Sequence, residues 1–173
     1  SDLLYELLRP PLQQIFLQGL TPRRLPRLEL HGVVPEEGRT VITVSSLLSG
    51  AQGAAKTANR LWQLYNTNGQ GAVQICLLAD LPQADFPSLP RDDADIAAMR
   101  RELRKLNARA PGRFVLAVRP RSYSPTMRAY TGRERKRGAI GDLIRFIHGG
   151  PSNFVTLDGD RGHLRRTKYL LAL

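Results

Sequence analysis

Residues 72–79 read AVQICLLA, a nearly continuous apolar run that stops at Asp80. A strand with one apolar face alternates polar and apolar residues, whereas a continuous run is typical of a strand that is covered on both faces. Such strands occur in parallel sheets, where helices pack on either side. The run contains Cys76, the single cysteine of the chain, which we expect to be a buried structural thiol in a reducing compartment. The run therefore predicts a central strand that ends at Asp80.

Strands and helices alternate around this central strand. Residues 40–45, TVITVS, are rich in β-branched side chains that favour a strand, and apolar residues recur at three- and four-residue spacing where we expect helices. The predicted strands are residues 40–45, 72–79, 113–118 and 169–173, and the predicted helices are residues 54–65, 92–110 and 133–148, with a long polar loop at 119–131. This alternation predicts an α/β fold with an open, mostly parallel sheet and flanking helices.

The first 38 residues differ from the rest of the chain. They contain prolines at positions 10, 11, 22, 26 and 35, which interrupt any long helix. We predict that residues 1–38 form an N-terminal arm or linker and that residues 39–173 fold around one hydrophobic core. The chain begins with serine, and residues 169–173 read as a strand without a cap or a polar tail. We therefore expect the sequence to be a piece of a longer protein.

Positive charge is concentrated in the second part of the chain. Residues 1–99 contain 8 basic and 10 acidic residues, whereas residues 100–173 contain 18 basic and 5 acidic residues. This asymmetry predicts an anionic partner, which could be nucleic acid, a membrane surface or a phosphorylated small molecule. A solvated surface that has no partner is the alternative interpretation.

A basic run opens the third predicted helix. Residues 132–138 read GRERKRG and lead directly into apolar residues at helical spacing. The free N–H groups and the dipole at a helix start attract anions, and cationic side chains add to this attraction. The run therefore predicts a phosphate site that involves Arg135, Lys136 and Arg137, with an exposed, solvated helix start as the alternative.

Polar residues end the first two predicted strands. Ser45 and Ser46 end the first strand, and Asp80 ends the second. In open α/β sheets, ligands bind outside the carboxyl ends of the strands. Together with the basic run, these residues predict a nucleotide pocket in which Asp80 accepts hydrogen bonds from a base or a ribose. A capping or turn role is the alternative for Asp80, and neither a P-loop motif nor a Gly-x-Gly-x-x-Gly motif occurs in the sequence.

Two carboxylates later in the chain, Asp158 and Asp160, suit a divalent cation. Residues 154–160, FVTLDGD, read as a short strand that ends in Asp158 and Asp160, and carboxylates at this spacing could bind Mg²⁺ or Mn²⁺. A structural loop is the favoured interpretation, and the metal site is kept as the alternative.

Four short segments together resemble the glycosyltransferase domain of cyclic β-1,2-glucan synthases. The segments are residues 79–84 (ADLPQA), 106–109 (LNAR), 119–121 (RPR) and 134–138 (ERKRG), and the similarity extends over about residues 25–173. The resemblance implies that residues 39–173 are the N-terminal, nucleotide-binding half of a glycosyltransferase domain, with an incomplete GT-A nucleotide-sugar fold. It further implies UDP-glucose as the donor and a growing β-1,2-glucan as the acceptor. It also implies a divalent cation, Mg²⁺ or Mn²⁺, in the full-length enzyme. The rest of the parent polypeptide would be a polytopic protein of the bacterial inner membrane, with this domain on the cytoplasmic face.

The resemblance also implies roles for individual residues. Asp80 would contact uracil, Ser45 and Ser46 would line the nucleotide loop, and Lys136 and Arg137 would face the donor diphosphate. The final strand would lead into an Asp-x-Asp motif beyond Leu173, so we expect catalytic residues and metal ligands there and an inactive isolated chain. The sequence departs from the family pattern, since similar domains have Pro-Thr at positions 45 and 46, Trp at 133 and Asn at 144.

Two other functions remain as alternatives, namely a nucleic-acid-binding module and a module that docks on an anionic membrane. An aromatic content of 6% and the lack of a helix-turn-helix or RNA-binding signature disfavour nucleic acid, which we do not expect as a partner. No run of about 18 apolar residues predicts a transmembrane span, so we expect a soluble fragment.

Overall fold

The computed structural model describes residues 33–132 and 135–173. After a short 3-10 turn at Glu36–Gly38, seven strands and four helices follow in the described ranges. The strands are β1 (Thr40–Leu47), β2 (Val73–Asp80), β3 (Phe114–Arg119), β4 (Ser122–Ser124), β5 (Ala129–Thr131), β6 (Thr156–Asp158) and β7 (Tyr169–Ala172). The helices are α1 (Gly50–Asn68), α2 (Asp92–Arg109), α3 (Arg135–Ile147) and α4 (Arg161–Arg165). Most of the predicted arm, residues 1–32, lies outside the described residues.

Five of the strands form one sheet in the order β6-β3-β2-β1-β7. Strands β3, β2, β1 and β7 are parallel, and β6 pairs with β3 in the antiparallel direction. The register places Thr40 beside both Val73 and Tyr169, so β1 lies between β2 and β7. The prediction of an α/β fold with an open, mostly parallel sheet is confirmed.

Two apolar layers enclose the sheet. On one face, α1 and α2 pack over β-strand residues such as Ile75 and Phe114, and on the other face α3 and α4 pack over residues such as Cys76 and Val115. Every residue from Val73 to Ala79 is at most 2% exposed, as the apolar run predicts for a strand covered on both faces. None of the described helices is both long enough and apolar enough to span a membrane.

The prediction of a loop at residues 119–131 is wrong in part. Strands β4 and β5 form a small antiparallel hairpin there, and the rings of Tyr123 and Tyr130 meet at 5.4 Å between centroids. Ala84 joins the hairpin through two backbone hydrogen bonds with Tyr130, at 3.0 and 2.8 Å. Strands of three residues carry too little alternation to be recognised from sequence, and a neighbouring loop helps to hold them in place.

Candidate functional site

The strand order places a topological switch point between β1 and β7. The chain builds β2 and β3 on one side of β1 and later adds β7 on the other side. In open α/β sheets, a crevice forms outside the carboxyl ends of the strands at such a point. Ser45 and Ser46, both half-buried, lie near the end of β1. The switch point therefore coincides with the serines that the sequence analysis selected.

Lys136 lies at the end of the neighbouring strand. Its Nζ atom donates a hydrogen bond to the carbonyl oxygen of Leu173 at 2.7 Å, and the N–H of Leu173 donates to the carbonyl of Thr43 at 3.1 Å. The beginning of α3 thus contacts the carboxyl end of β7. As a result, an ammonium group lies at the same edge of the sheet as Ser45, which is two residues beyond Thr43.

Asp80 is held by a neighbouring arginine. Asp80 ends β2, Arg119 ends β3, and the two residues are paired in the parallel register. The Nε and Nη2 atoms of Arg119 donate to the two carboxylate oxygens of Asp80 at 2.8 and 3.0 Å. Arg119 is only 3% exposed, so this bidentate pair is largely shielded from water. Charge-assisted, two-pronged bonds of this kind fix orientation as well as charge.

The backbone of the basic run approaches the same carboxylate. Gly132 is buried, and a Cβ atom at this position would lie 2.7 Å from the carboxyl carbon of Asp80. Side chains do not tolerate such a distance, so the absence of a side chain allows the backbone to approach the carboxylate. Asp80, Arg119 and the start of the basic run are therefore close together in the fold.

A cleft of about 650 Å³ opens beside this cluster, which is within the usual range for small-ligand sites. Arg119 also lies 3.9 Å from a carboxylate oxygen of Asp142 on α3, and Asp142 accepts a hydrogen bond from Arg145 at 3.0 Å. The cleft therefore contains several cationic groups, one carboxylate and two neutral polar side chains. Its polar lining residues are Arg119, Ser122, Arg137, Asp142, Arg145 and Asn153.

The predicted residues thus fall into three groups. Asp80 lies at the carboxyl edge with Arg119, Arg137 lines the cleft, and Ser45, Ser46 and Lys136 surround the switch point. Arg135 begins α3, while residues 133 and 134 lie outside the described residues. Ile144, which departs from the family pattern, also lines the cleft and is 41% exposed.

Three further residues of this region received no individual role from the sequence, although Arg119 begins the predicted polar loop and Gly132 begins the basic run, and both segments were expected near the strand ends. A role for Arg119 could have been inferred, because it ends the strand beside Asp80 and parallel strands bring such residues together. Asp142 is three residues before Arg145 on α3, a spacing that places both on one helix face. The role of Gly132 depends on a close approach between distant segments, which no local pattern shows.

Asp158 and Asp160 have other partners. The side chain of Asp158 forms an ion pair with Arg100, and Asp160 caps α4 by accepting the N–H of His163 at 2.8 Å. In the antiparallel register, Asp158 lies beside Leu116 in the middle of β3, and the carbonyl of Asp160 accepts a hydrogen bond from Gln74 near the start of β2. Neither residue therefore lies at the Asp80 end of the strands. Both carboxylates thus take part in contacts within the fold.

The described residues do not fit a divalent-cation site. Within residues 33–132 and 135–173, no three or more His, Cys, Asp or Glu side chains lie close enough together to hold a metal ion. The carboxylates of the cleft region are each bound by arginine instead, as Asp80 is by Arg119 and Asp142 is by Arg145. No chemical step through a metal is therefore assigned to these residues.

Comparison with known proteins finds one distant similarity. The chain is 28% identical over 139 residues to the cyclic beta-(1,2)-glucan synthase NdvB of Rhizobium meliloti (strain 1021). The match covers 78% of this chain but only 5% of that much longer protein. No protein-family model matches the chain. The chain is thus distantly similar to a small part of a glucan synthase.

Proposed function

We propose that this chain is the nucleotide-binding half of a glycosyltransferase domain and that it binds UDP-glucose as the sugar donor. The observation that carries the proposal is the meeting of Asp80, Arg119 and Gly132 at the carboxyl edge of the sheet, beside a cationic cleft. The similarity to a glucan synthase supports the same conclusion from a separate source.

The base would bind at the Asp80 end of the site. A uracil ring presents one N–H donor between two carbonyl acceptors. A carboxylate can accept from the N–H, and a neighbouring guanidinium can donate to a carbonyl. Asp80 and Arg119 supply these two groups in a fixed mutual orientation. Ser45 and Ser46, at the end of β1, would line the nucleotide loop.

The diphosphate would bind at the start of α3. Lys136 and Arg137 are exposed in the first turn of this helix, after Arg135, and a helix start adds its own N–H groups and dipole. During transfer, the bond between the anomeric carbon and the diphosphate breaks, and the UDP that leaves gains negative charge. Fixed positive charges at this position would stabilise that charge.

The remaining parts of the reaction would come from the rest of the parent polypeptide. We propose a growing β-1,2-glucan as the acceptor and a divalent cation, Mg²⁺ or Mn²⁺, in the full-length enzyme. We also propose a location on the cytoplasmic face of the bacterial inner membrane. The relative is a cyclic beta-(1,2)-glucan synthase, and this supports the choice of acceptor. The described residues support donor binding, so the isolated chain should bind UDP weakly and transfer no glucose.

Titration of the ¹⁵N-labelled chain with UDP, followed by NMR, tests the proposal. Peaks from residues near Asp80 and from the first turn of α3 should shift, and the variant Asp80→Asn should bind UDP at least about tenfold more weakly because it loses a charged acceptor. Arg100→Lys is a matched control, since Arg100 pairs with Asp158, which lies beside Leu116 and not at the strand ends that Asp80 and Arg119 form. Unshifted peaks at saturating UDP would contradict the proposal.

One feature favours the alternative of an anionic surface as the partner. Residues 161–168 contain Arg161, Arg165, Arg166 and Lys168, all exposed, without an acidic residue among them. A parallel titration with anionic lipid vesicles and with an oligonucleotide, over a series of salt concentrations, tests it. Steep salt-dependent binding of either probe, without any UDP effect, would favour this alternative over a transferase.

A further inference from the structure

Arg121 forms a second buried ion pair close to the site. Its Nη1 and Nη2 atoms donate to the two carboxylate oxygens of Asp92 at 2.5 and 2.9 Å. The side chain of Arg121 is 0% exposed and that of Asp92 is 8% exposed. Hydrogen bonds from Arg121 hold the pKa of Asp92 below its usual range, so the pair is ionised at neutral pH. Burial of two charges costs free energy, and a buried pair is weak evidence for a purely stabilising role.

The same guanidinium binds the segment that follows Asp80. Its Nε atom donates to the carbonyl of Pro82 at 2.6 Å, and Nη1 donates to the carbonyl of Pro87 at 3.4 Å. Asp92 in turn accepts the N–H of Leu89 at 2.7 Å. One buried ion pair thus fastens residues 82–92 at four points, beginning two residues after Asp80.

Arg121 is also close in sequence to Arg119, the arginine that binds Asp80. Only Pro120 separates it from Arg119, and the ring of proline fixes one backbone dihedral between them. The segment 119–121 therefore binds β2 and the loop after β2 at two adjacent places, first at Asp80 and then at Pro82. A shift of either end of this segment would move the other.

We propose that Arg121 is a positioning residue, which places Arg119 against Asp80 by anchoring residues 82–92. It does so without contacting the ligand itself. The inference rests on the proposed function in one respect, because it takes UDP as the ligand of the Arg119 and Asp80 pair. The geometry of the Arg119 and Asp80 pair can be followed without any ligand.

Two NMR measurements on the whole chain test this inference, with Arg121→Lys as the main variant. A lysine keeps the charge but cannot reproduce the fork that reaches several acceptors at once. The first measurement is the exchange rate of the Arg119 Nε–H signal, which we expect to be slow in the wild type because this group is buried and bonded to Asp80. We expect exchange to be about tenfold faster in Arg121→Lys. Arg100→Lys, which changes an exposed ion pair, should leave the rate unchanged.

The second measurement is UDP affinity at a temperature where the variant is fully folded. We expect Arg121→Lys to weaken UDP binding about tenfold, through displacement of Arg119 rather than through loss of fold. Asp92→Glu keeps the negative charge that Arg121 requires but moves the carboxylate by one methylene group. It serves as the second variant if Arg121→Lys does not fold, and it should change both readouts in the same direction.

The outcomes separate the two proposals. An unchanged Arg119 signal in a folded Arg121→Lys or Asp92→Glu variant would overturn the positioning role, whether or not UDP binds. A wild-type chain that does not respond to UDP would overturn the proposed function, while the Arg119 signal would still decide the role of Arg121. Unchanged UDP affinity together with a disturbed Arg119 signal would show that the position of Arg119 does not control UDP binding.

Discussion

The backbone N–H of His163 donates to the Asp160 carboxylate at 2.8 Å, while the Nε2 atom of the same histidine is buried and has no hydrogen-bond partner among the described residues. Burial lowers the pKa of His163, and the charges of Arg39 and Arg113 lower it further, against the opposing effect of Asp160. The neutral imidazole is therefore favoured in the folded state. Protonation would place a positive charge in a partly dry environment beside two arginines.

We predict that the chain loses stability as the pH falls below about 6.5. The unfolded chain takes up a proton on His163 near its ordinary pKa of about 6.5, whereas the folded chain does so only at lower pH. The contribution of this residue is thus complete above about pH 6.5 and is lost as the pH falls through the lowered pKa. The slope would be at most about 1.4 kcal/mol per pH unit, because one proton is involved. Urea unfolding between pH 5 and 8 measures it.

The variant His163→Gln provides the comparison for this pH dependence. Glutamine does not titrate, so the difference in unfolding free energy between wild type and variant should shrink as the pH falls. His148→Gln, the same substitution in the turn that follows α3, is the control. A wild-type slope that persists in His163→Gln would contradict the prediction.

Cys76 gives a second prediction. The thiol is 0% exposed in the middle of β2, and burial raises its pKa to about 12. Since the thiolate is the reactive form, the folded chain should not react with a thiol reagent at pH 8. Reaction should begin only when denaturant unfolds the sheet, and its midpoint should match that of circular dichroism. Fast labelling without denaturant would show that β2 is accessible, contrary to the fold.

Much of the sheet could be predicted because its strands carry strong local patterns. The apolar run that contains Cys76 indicated a strand covered on both faces, and β-branched residues indicated β1. The short elements could not be predicted with the same certainty, because α4 has five residues and depends on the Asp160 cap and on the burial of Leu164. Their sequences are compatible with several local structures, and contacts with the rest of the domain select among these.

Two glycines provide a third prediction, on stability. Gly159 has a φ angle of +118°, and a Cβ atom there would lie 2.7 Å from the carbonyl oxygen of Phe114. Gly159→Ala should therefore lower the free energy of unfolding by about 2 kcal/mol or more. Gly141 lies inside α3 with nothing within 4 Å of its Cβ position, so Gly141→Ala should raise it by about 0.5–1 kcal/mol. Changes of the same sign in both variants would contradict this.

The candidate site was less predictable than the sheet, for a physical reason. Asp80 and Lys136 were selected because their positions in sequence, at a strand end and a helix start, favour ligand binding. The partners that fix them, Arg119 for Asp80 and the Leu173 carbonyl for Lys136, lie 39 and 37 residues away. Pairings over such separations depend on strand order and register, and neither is determined by local residue types.

Gly132 carries the last prediction, which concerns both the fold and the site. The methyl group of Gly132→Ala would meet the carboxylate of Asp80 at 2.7 to 2.8 Å. A free aspartate could rotate away, but this one is bound by Arg119 through two hydrogen bonds, so relief of the clash must break or distort that pair. We expect a loss of about 1–3 kcal/mol in unfolding free energy, as for overpacking in a filled interior. We also expect UDP binding to weaken about tenfold through the displaced pair.

The double variant Gly132→Ala with Asp80→Ala tests whether the contact with Asp80 causes the loss of stability in Gly132→Ala. Removal of the carboxylate makes room for the new methyl group, so the cost of Gly132→Ala should be smaller in the Asp80→Ala background than in the wild type. The comparison of four proteins by urea unfolding measures this coupling. Equal costs in the two backgrounds would show that Gly132 is needed for another reason, and the contact with Asp80 would then not explain the glycine. A coupling of about 1 kcal/mol or more would instead tie the backbone of the basic run directly to the carboxylate at the end of β2.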